Sequence, residues 1–192
     1  ERIERDTQAW WEGELDRPLV YLAVTDPLPV RKPFAYLTNY PLDMPAEKVV
    51  DQYEPFLTAT HYYADAFPWW WINFGPGIAA GFLGSKVDSV TEPSETVWFS
   101  PARPAEIQDL HFTYAAQNIW WQRVQAITAA AAERFDGLLQ ISHTDLGGNL
   151  DILASFRDTQ GLLFDVVEQP EEVDEGLQPV VDRVELVQYI GG

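Results

Sequence analysis

The sequence predicts an α/β fold built from about three consecutive strand–helix units with parallel strands. Three apolar runs typical of buried strands each precede a turn or loop, and helical patterns follow them along the chain. Right-handed crossovers would place such strands side by side in one sheet. At 192 residues, 46% of them hydrophobic, the chain is long enough for one core, so a single domain over residues 1–192 is expected.

The first unit opens with a short helix over Thr7–Leu15, which Pro18 ends. The apolar run Leu19–Val24 follows and predicts a strand buried on both faces, as in a parallel sheet covered by helices. A long loop with four prolines leads to Asp43, the expected N-cap of a helix. Pro55 is expected to kink that helix.

The second unit places a strand over Ala66–Phe74, with Asn73 at its polar tip. A Gly75–Gly77 turn and a small-residue helix over Ile78–Leu83 come next, and Gly84 closes the helix. An insertion over 87–99 predicts a β-hairpin with its turn at Glu92-Pro93. A strong amphipathic helix is then expected over 118–134, with its apolar face formed by Trp120, Val124, Ile127 and Ala131.

The third unit has the most complete pattern of a ligand site. A buried strand over 138–141 runs into a polar tip, a glycine pair and a short helix over 152–156. In α/β proteins the strand's carboxyl end presents side chains, and the turn presents N–H groups at the positive end of a helix. Two further helices are expected over Thr159–Val167 and from Pro170 to Val187.

His143 and Asp145 are the candidate catalytic residues. They are two positions apart, so on a continuing strand both side chains would point to the same face. A carboxylate that orients an imidazole makes a general base or one corner of a metal site. The alternative is that His143 is a hydrogen-bonded residue at the rim and Asp145 caps the glycine turn. Asp145 is the stronger candidate, because burying a carboxylate at a strand tip costs free energy and is therefore expected to serve binding or catalysis.

The candidate substrate-binding residues are Asn73, Trp71, Asn149, Asp151, Gly147 and Gly148. Asn73 is expected at the same sheet edge as Asp145. Alternation along the strand puts part of the Trp69–Trp71 run in the core and leaves the rest as a stacking surface for a flat or sugar-like ligand. Asn149 and Asp151 are alternatively helix caps worth about 1 kcal/mol each, and the glycine turn is a weak anion pocket.

Composition excludes several classes of partner. The net charge of −18 repels nucleic-acid phosphates and anionic lipid, so a small-molecule substrate is the expected ligand. The longest apolar runs are far shorter than the roughly 20 residues that cross a bilayer. Because the chain lacks cysteine, thiolate zinc sites and cysteine nucleophiles are excluded and a cytoplasmic protein is expected. No metal or cofactor is assigned, since none of the usual binding motifs occurs.

Five segments together resemble landmarks of the uroporphyrinogen-decarboxylase-like superfamily, in its large uncharacterised branch. They are WWEGELDRPLVYLAVT, AFPWWWINFGPGIAAGFLG, ETVWF, NIWWQRV and TDLGGNLDILASFRDTQGLLFDVVEQPEEV. The resemblance implies a (β/α)8 barrel with its site at the strand carboxyl ends, of which this chain supplies the N-terminal half. It also implies lyase or methyl-transfer chemistry on a small or cyclic organic substrate.

The chain departs from that family where the decarboxylases bind their substrate. They carry an arginine-rich RQAGRY-type motif after the first strand, whereas this chain has TDPLPVRKPF, with Arg31 and Lys32 alone nearby. Authentic uroporphyrinogen decarboxylation is therefore not expected. Two alternatives stay open: a non-catalytic half-barrel that binds a ligand or forms a homodimer through open strand edges, and part of a corrinoid-dependent methyltransferase.

Overall fold

A computed structural model describes residues 1–92, 95–112 and 115–178. The fold is mixed α/β, as the sequence predicts, and the described residues contain three two-stranded sheets. Two compact units are present, and each is assembled from three stretches of the chain. The first unit contains residues 1–33, 44–71 and 127–142, and the second contains 34–43, 72–126 and the chain from 143 onward. The expectation of one domain stays a prediction.

Helices and strands alternate irregularly along the chain. In chain order they are α1 (Arg2–Trp11), β1 (Tyr21–Thr25), a 3-10 helix (Leu37–Asn39), α2 (Ala46–Thr58), β2 (Thr60–Ala64), β3 (Trp69–Trp71), α3 (Ile78–Leu83), β4 (Lys86–Val90), β5 (Thr96–Ser100), a second 3-10 helix (Ile107–Asp109), α4 (Ile119–Arg134), β6 (Gln140–Ser142), α5 (Asn149–Arg157) and α6 (Thr159–Glu168). Residues 170–178 are also helical. The predicted continuation of that helix to Val187, and Pro93 of the predicted hairpin turn, lie outside the described residues.

In the first unit, strand β1 differs from its prediction in burial and in partner. All five of its residues are exposed, and it pairs antiparallel with β2, from Tyr21 opposite Ala64 to Thr25 opposite Thr60. The prediction of a strand buried on both faces of a parallel sheet is therefore wrong here. A run of apolar residues does not by itself indicate whether helices or solvent lie on the two faces of the strand. The sequence does not mark β2 as a separate strand, because no glycine or proline separates it from α2.

The parallel pairing predicted for the second and third strands is present in the first unit. The paired residues of β3 and β6 are Trp69 with Gln140, Trp70 with Ile141 and Trp71 with Ser142. Trp70 is buried, and its ring lies 4.5 Å from that of Tyr53 on α2 and 6.2 Å from that of Phe135 after α4. Side chains from α2 and from the turn after α4 therefore pack on one face of this sheet. The paired segment is shorter than the predicted 66–74.

The second unit contains the predicted hairpin and helix α3. Strands β4 and β5 pair antiparallel, with Lys86 opposite Ser100 and Val90 opposite Thr96. Helix α3 ends as predicted at Gly84, whose φ of +107° lies in the left-handed region that glycine adopts without strain. The largest fully buried side chains of the second unit include Phe74, Phe82, Ile78, Leu37, Ile107, Ile152 and Leu153.

Helix termini differ in detail from the sequence prediction. The first helix runs over 2–11 rather than 7–15, and Pro45, not Asp43, occupies the N-cap position of α2. Pro55 lies inside α2, as expected. Helix α4 is capped by Asn118, whose Oδ1 accepts the N–H groups of Trp120 and Trp121 at 2.9 and 3.1 Å. The buried positions of α4 include Trp121, Val124, Ile127 and Ala131, so Trp121 replaces the predicted Trp120.

A charge cluster around Asp65 ties together three parts of the first unit. The buried Asp65 carboxylate contacts Arg17 at 2.6 Å and Arg2 at 2.9 Å, and it accepts the Val20 N–H at 3.0 Å. Arg17 also contacts Asp6 of α1 at 3.0 Å. The hydrogen bonds from Arg17, then from Val20, hold the pKa of Asp65 well below its ordinary value. Helix α1 is thereby linked to the start of β1 and the end of β2.

No helix within the described residues is long and apolar enough to cross a membrane.

We predict that Asp65→Asn destabilises the protein at neutral pH, because it leaves the arginines facing a neutral amide. The melting temperature should fall by at least about 5 °C, measured by circular dichroism. Because the folded pKa is depressed, this contribution is present above the unfolded-state pKa of about 3.9 and is lost as the pH falls below it.

The difference between wild type and variant should therefore shrink below about pH 4. Asp16→Asn, at an exposed carboxylate close in sequence, is the matched control and should change little. A difference that stays constant from neutral to strongly acidic pH would contradict the charge-cluster account.

Candidate functional site

Two loops of the second unit lie against each other. They are residues 72–77, which follow β3, and residues 143–148, which follow β6, and we call them the paired loops. The hydroxyl of buried Thr144 accepts the N–H of Phe74 at 3.2 Å. Gly147 has a φ of +76°, and a Cβ at this position would overlap the Pro76 carbonyl oxygen. Close backbone contact therefore requires glycine here.

Asn73 is fixed within the paired loops by three hydrogen bonds. Its Oδ1 accepts the Gly75 N–H at 3.0 Å, and its Nδ2 donates to the Ala35 carbonyl at 3.3 Å. Its backbone carbonyl accepts the N–H of Leu37 at 2.8 Å. The half-buried side chain thus shapes the turn before α3 and connects it to the segment containing the first 3-10 helix. This order limits how far Asn73 can move toward a ligand.

Asp145 forms a similar turn in the second loop. Its Oδ1 accepts the Gly147 N–H at 2.8 Å, and the residue is half-buried. Within the part of the chain that is described, its other carboxylate oxygen makes no hydrogen bond to protein. This second oxygen can therefore accept a hydrogen bond from a ligand. The capping role weighed for Asp145 is observed, and it holds the carboxylate in one orientation.

His143 is exposed, and its Nδ1 lies 2.7 Å from the Thr144 carbonyl. A carbonyl can only accept, so Nδ1 is the donor in this contact and Nε2 is the ring nitrogen that remains for a ligand. The expected pairing of His143 with Asp145 does not occur within the described residues, because β6 ends at Ser142 and both side chains lie in the loop. The strand alternation assumed for them does not apply.

The remaining predicted ligand residues are placed in different surroundings. Trp71 belongs to β3 in the first unit and is 41% exposed. Gly148 is the N-cap of α5 and no side chain caps that helix, so the capping role considered for Asn149 and Asp151 is wrong. Both lie exposed in the first turn of α5. The Gly147 N–H is already engaged by Asp145, which removes it as an anion donor in this arrangement.

A cavity of about 460 Å³ lies elsewhere in the second unit. It is lined by Pro101, Pro104, Ala105, Glu106, Asp109, Arg157 and Asp158. Arg157 is held by Asp165 at 2.6 Å and by Glu106 at 2.8 Å, and the hydrogen bond with Asp165 raises the pKa of its guanidinium. Because Asn149 and Arg157 are the two ends of α5, the cavity is about 12 Å along that helix from the paired loops.

Thr144 and the cavity residues are not among the candidates that the sequence patterns favour. Thr144 lies between the two catalytic candidates, and its role depends on an N–H from a loop 70 positions away. Asp158 has φ +71° and ψ +154°, a strained conformation for a residue with a side chain. Nothing in the local sequence indicates that conformation. Among the described residues, no group of three His, Asp or Glu side chains is arranged to hold a metal ion.

Substitution of Gly147 tests the contact between the paired loops. We predict that Gly147→Ala lowers the free energy of unfolding by at least about 2 kcal/mol. The added methyl group would overlap the Pro76 carbonyl oxygen, and the φ of Gly147 lies in the left-handed region. Gly137→Ala is the matched control, because Gly137 has a φ of +67° with no atom near its Cβ position. It should cost about 1 kcal/mol. Equal losses in urea denaturation would argue against close loop contact.

No protein-family model, curated protein sequence or solved structure matches the chain. The resemblance to the uroporphyrinogen-decarboxylase-like superfamily therefore stays a prediction made from the sequence segments.

Proposed function

We propose that the chain is part of a (β/α)8-barrel enzyme of uroporphyrinogen-decarboxylase-like descent, with the paired loops at its active-site rim. The enzyme would carry out lyase or methyl-transfer chemistry on a small or cyclic organic substrate. The single observation that carries the proposal is the parallel pairing of β3 with β6. Parallel strands end at the same edge of a sheet, and catalytic groups of barrel enzymes lie at that edge.

The layout around these strands supports the proposal. Each runs into one of the paired loops and then into a helix, α3 or α5, so two strand–loop–helix units share one plan. Tyr53 of α2 and Phe135, directly after α4, pack on one face of the β3–β6 sheet, on the side where the outer helices of a barrel lie. Asn73 and Asp145 then follow strand ends that point the same way.

Asp145 and His143 have the atoms that proton transfer requires. Asp145 keeps one carboxylate oxygen available, and Nε2 of His143 is a base at an exposed position. In a decarboxylation, the bond to the leaving CO2 breaks, its electron pair stays on carbon, and a proton from an acid takes the place of CO2. We assign proton donation or substrate binding to Asp145 and a supporting role to His143.

The charge of the chain restricts the substrate. At −18, the protein repels polycarboxylates, and neither Arg31 nor Lys32 matches the family's arginine motif. We therefore assign an organic substrate without net negative charge, in which a cationic group balances any carboxylate, rather than a porphyrinogen. The same charge argues against nucleic acid and anionic membrane surfaces, and the lack of cysteine fits a cytoplasmic protein.

The corrinoid-methyltransferase alternative has less support in this chain. That branch holds zinc with histidine and cysteine, whereas this chain has no cysteine and its described residues form no three-ligand group. The described residues therefore do not fit a zinc site.

Loss of the Asp145 carboxylate tests the enzyme proposal. We predict that Asp145→Asn lowers turnover at least about 100-fold, because the amide keeps the turn but cannot exchange a proton at neutral pH. Turnover is measured by mass spectrometry as loss of CO2, or gain or loss of a methyl group, in pooled neutral and cationic metabolites. Asp136→Asn, an exposed carboxylate just before β6, is the matched control.

Three outcomes decide the test. Strong loss in Asp145→Asn with normal activity in Asp136→Asn supports the assignment. Unchanged turnover in a folded Asp145→Asn removes Asp145 from the mechanism. If the intact natural protein converts no compound in the pool, the enzyme proposal fails.

A second candidate function is a non-catalytic binding or oligomerisation module. The β1–β2 sheet favours it, since Tyr21, Leu22, Val24 and Tyr63 are each about half exposed. Exposed apolar strands with unpaired edges pair readily with another chain. Analytical ultracentrifugation separates the candidates: this module predicts a dimer that Leu22→Lys dissociates, and a monomer that turns over substrate contradicts it.

A further inference from the structure

We propose that the cavity at the C-terminal end of α5 binds a neutral polyhydroxy compound with the size of one or two sugar rings. Its volume of about 460 Å³ lies in the range of small-molecule sites. Its walls combine proline rings with charged side chains that have unused hydrogen-bonding atoms. The inference goes beyond the proposed function, because it concerns binding alone and requires no reaction at the paired loops.

The cavity lies apart from the paired loops and from the interior of the proposed barrel. It adjoins Arg157 and Asp158 at the C-terminal end of α5, whereas the second of the paired loops leads into the other end of this helix. None of the described lining residues belongs to a strand, and strand side chains fill the interior of a barrel. The remaining strands of a barrel would therefore not enclose this cavity in its core.

Arg157 supplies unused hydrogen-bond donors to the cavity. The buried Asp165 holds its guanidinium, with Nε donating to Oδ2 at 2.6 Å and Nη2 to Oδ1 at 3.3 Å, and Nη2 also donates to Glu106 at 2.8 Å. Nη1 makes no hydrogen bond within the described part of the chain, so its two N–H groups can donate to a ligand. Because two of its nitrogen atoms are held by carboxylates, the guanidinium is in place before a ligand arrives.

Carboxylate oxygens beside this guanidinium supply the acceptors. Asp158 uses Oδ1 to accept the Gly161 N–H at 2.7 Å, and its Oδ2 makes no hydrogen bond among the described residues. A Cβ placed on Gly161 would lie 2.9 Å from Arg157 Nη1 and 3.2 Å from this Oδ2, so the two atoms are at most about 6 Å apart, the sum of these distances. They form no ion pair in the described part of the chain, so a ligand hydroxyl can accept from Nη1 and donate to Oδ2.

The charges at the cavity favour a neutral ligand. Three lining side chains are carboxylates, and the one guanidinium is already paired with Asp165 and Glu106. An anion would be repelled by these carboxylates, and a simple cation would lie beside the guanidinium and leave the Nη1 donors unused. Hydroxyl groups both donate and accept without charge, and the rings of Pro101 and Pro104 can contact the C–H groups of a sugar ring.

The test compares sugars that share one ring and differ in charge. Glucose, galactose and mannose are titrated into the whole chain, and the tightest binder is compared with its uronate and its amino sugar. Binding is followed by NMR shifts of the Ala105, Glu106 and Asp158 amide signals. We expect millimolar affinity for the neutral sugar, at least about fivefold weaker binding of the uronate and no gain for the amino sugar.

Two variants test the polar contacts. Asp158→Asn keeps an oxygen for the Gly161 N–H but replaces the free Oδ2 with an amide nitrogen, and Asp109→Ala removes another lining carboxylate. Each should weaken binding of the neutral sugar at least about threefold. Glu168→Gln is the matched control, because this exposed residue ends α6, about 15 Å along that helix from Asp158, and sugar affinity should not change.

Tighter binding of the amino sugar than of the neutral sugar would assign the cavity to a cation and overturn the inference, as would equal affinity for the uronate. No shift of the three amide signals with any neutral sugar up to about 100 mM would also overturn it. Shifts at Gly147 in place of the cavity signals would place the sugar at the paired loops, with the same consequence. If the variants do not fold, the comparison of the three sugars on the wild-type chain still decides.

Discussion

The packing of Trp70 against Tyr53 and Phe135 fixes the register of β3 with β6, and the paired loops depend on that register. A slip by one residue would turn each strand side chain to the opposite face of the sheet. Trp69 and Trp71 would then be covered, and Trp70 would be exposed. Trp70 is 6% exposed, so any slip also loses the burial of a large aromatic side chain.

The paired loops depend on small side chains and on backbone contact rather than on charge. Gly147 allows the second loop to approach the Pro76 carbonyl, and Thr144 satisfies the buried Phe74 N–H. Asn73 and Asp145 each accept an N–H two positions on, so both polar side chains stabilise turns as well as being candidate ligands. A binding site built on such turns is preorganised, because its polar groups are already held in place.

Local patterns in the sequence predicted the elements whose causes are local. The Gly84 stop of α3, the 86–100 hairpin and helix α4 follow from turn residues and helical periodicity, which act over a few positions. The exposure of β1, the Asp65 cluster and the role of Thr144 depend on residues far apart in the chain. No local pattern predicts them, because Arg17 and Asp65 are separated by 48 positions and Phe74 and Thr144 by 70.

The central claim is that β3 and β6 run parallel and lead into loops that contact each other. Nuclear Overhauser measurements on the labelled protein test it directly. The account predicts a cross-peak between the Phe74 amide proton and the Thr144 side chain, and contacts between the amide and α protons of Trp70 and its β6 neighbours. Strong contacts between α protons of β3 and β6, which mark antiparallel strands, or no contact between Phe74 and Thr144, would contradict it.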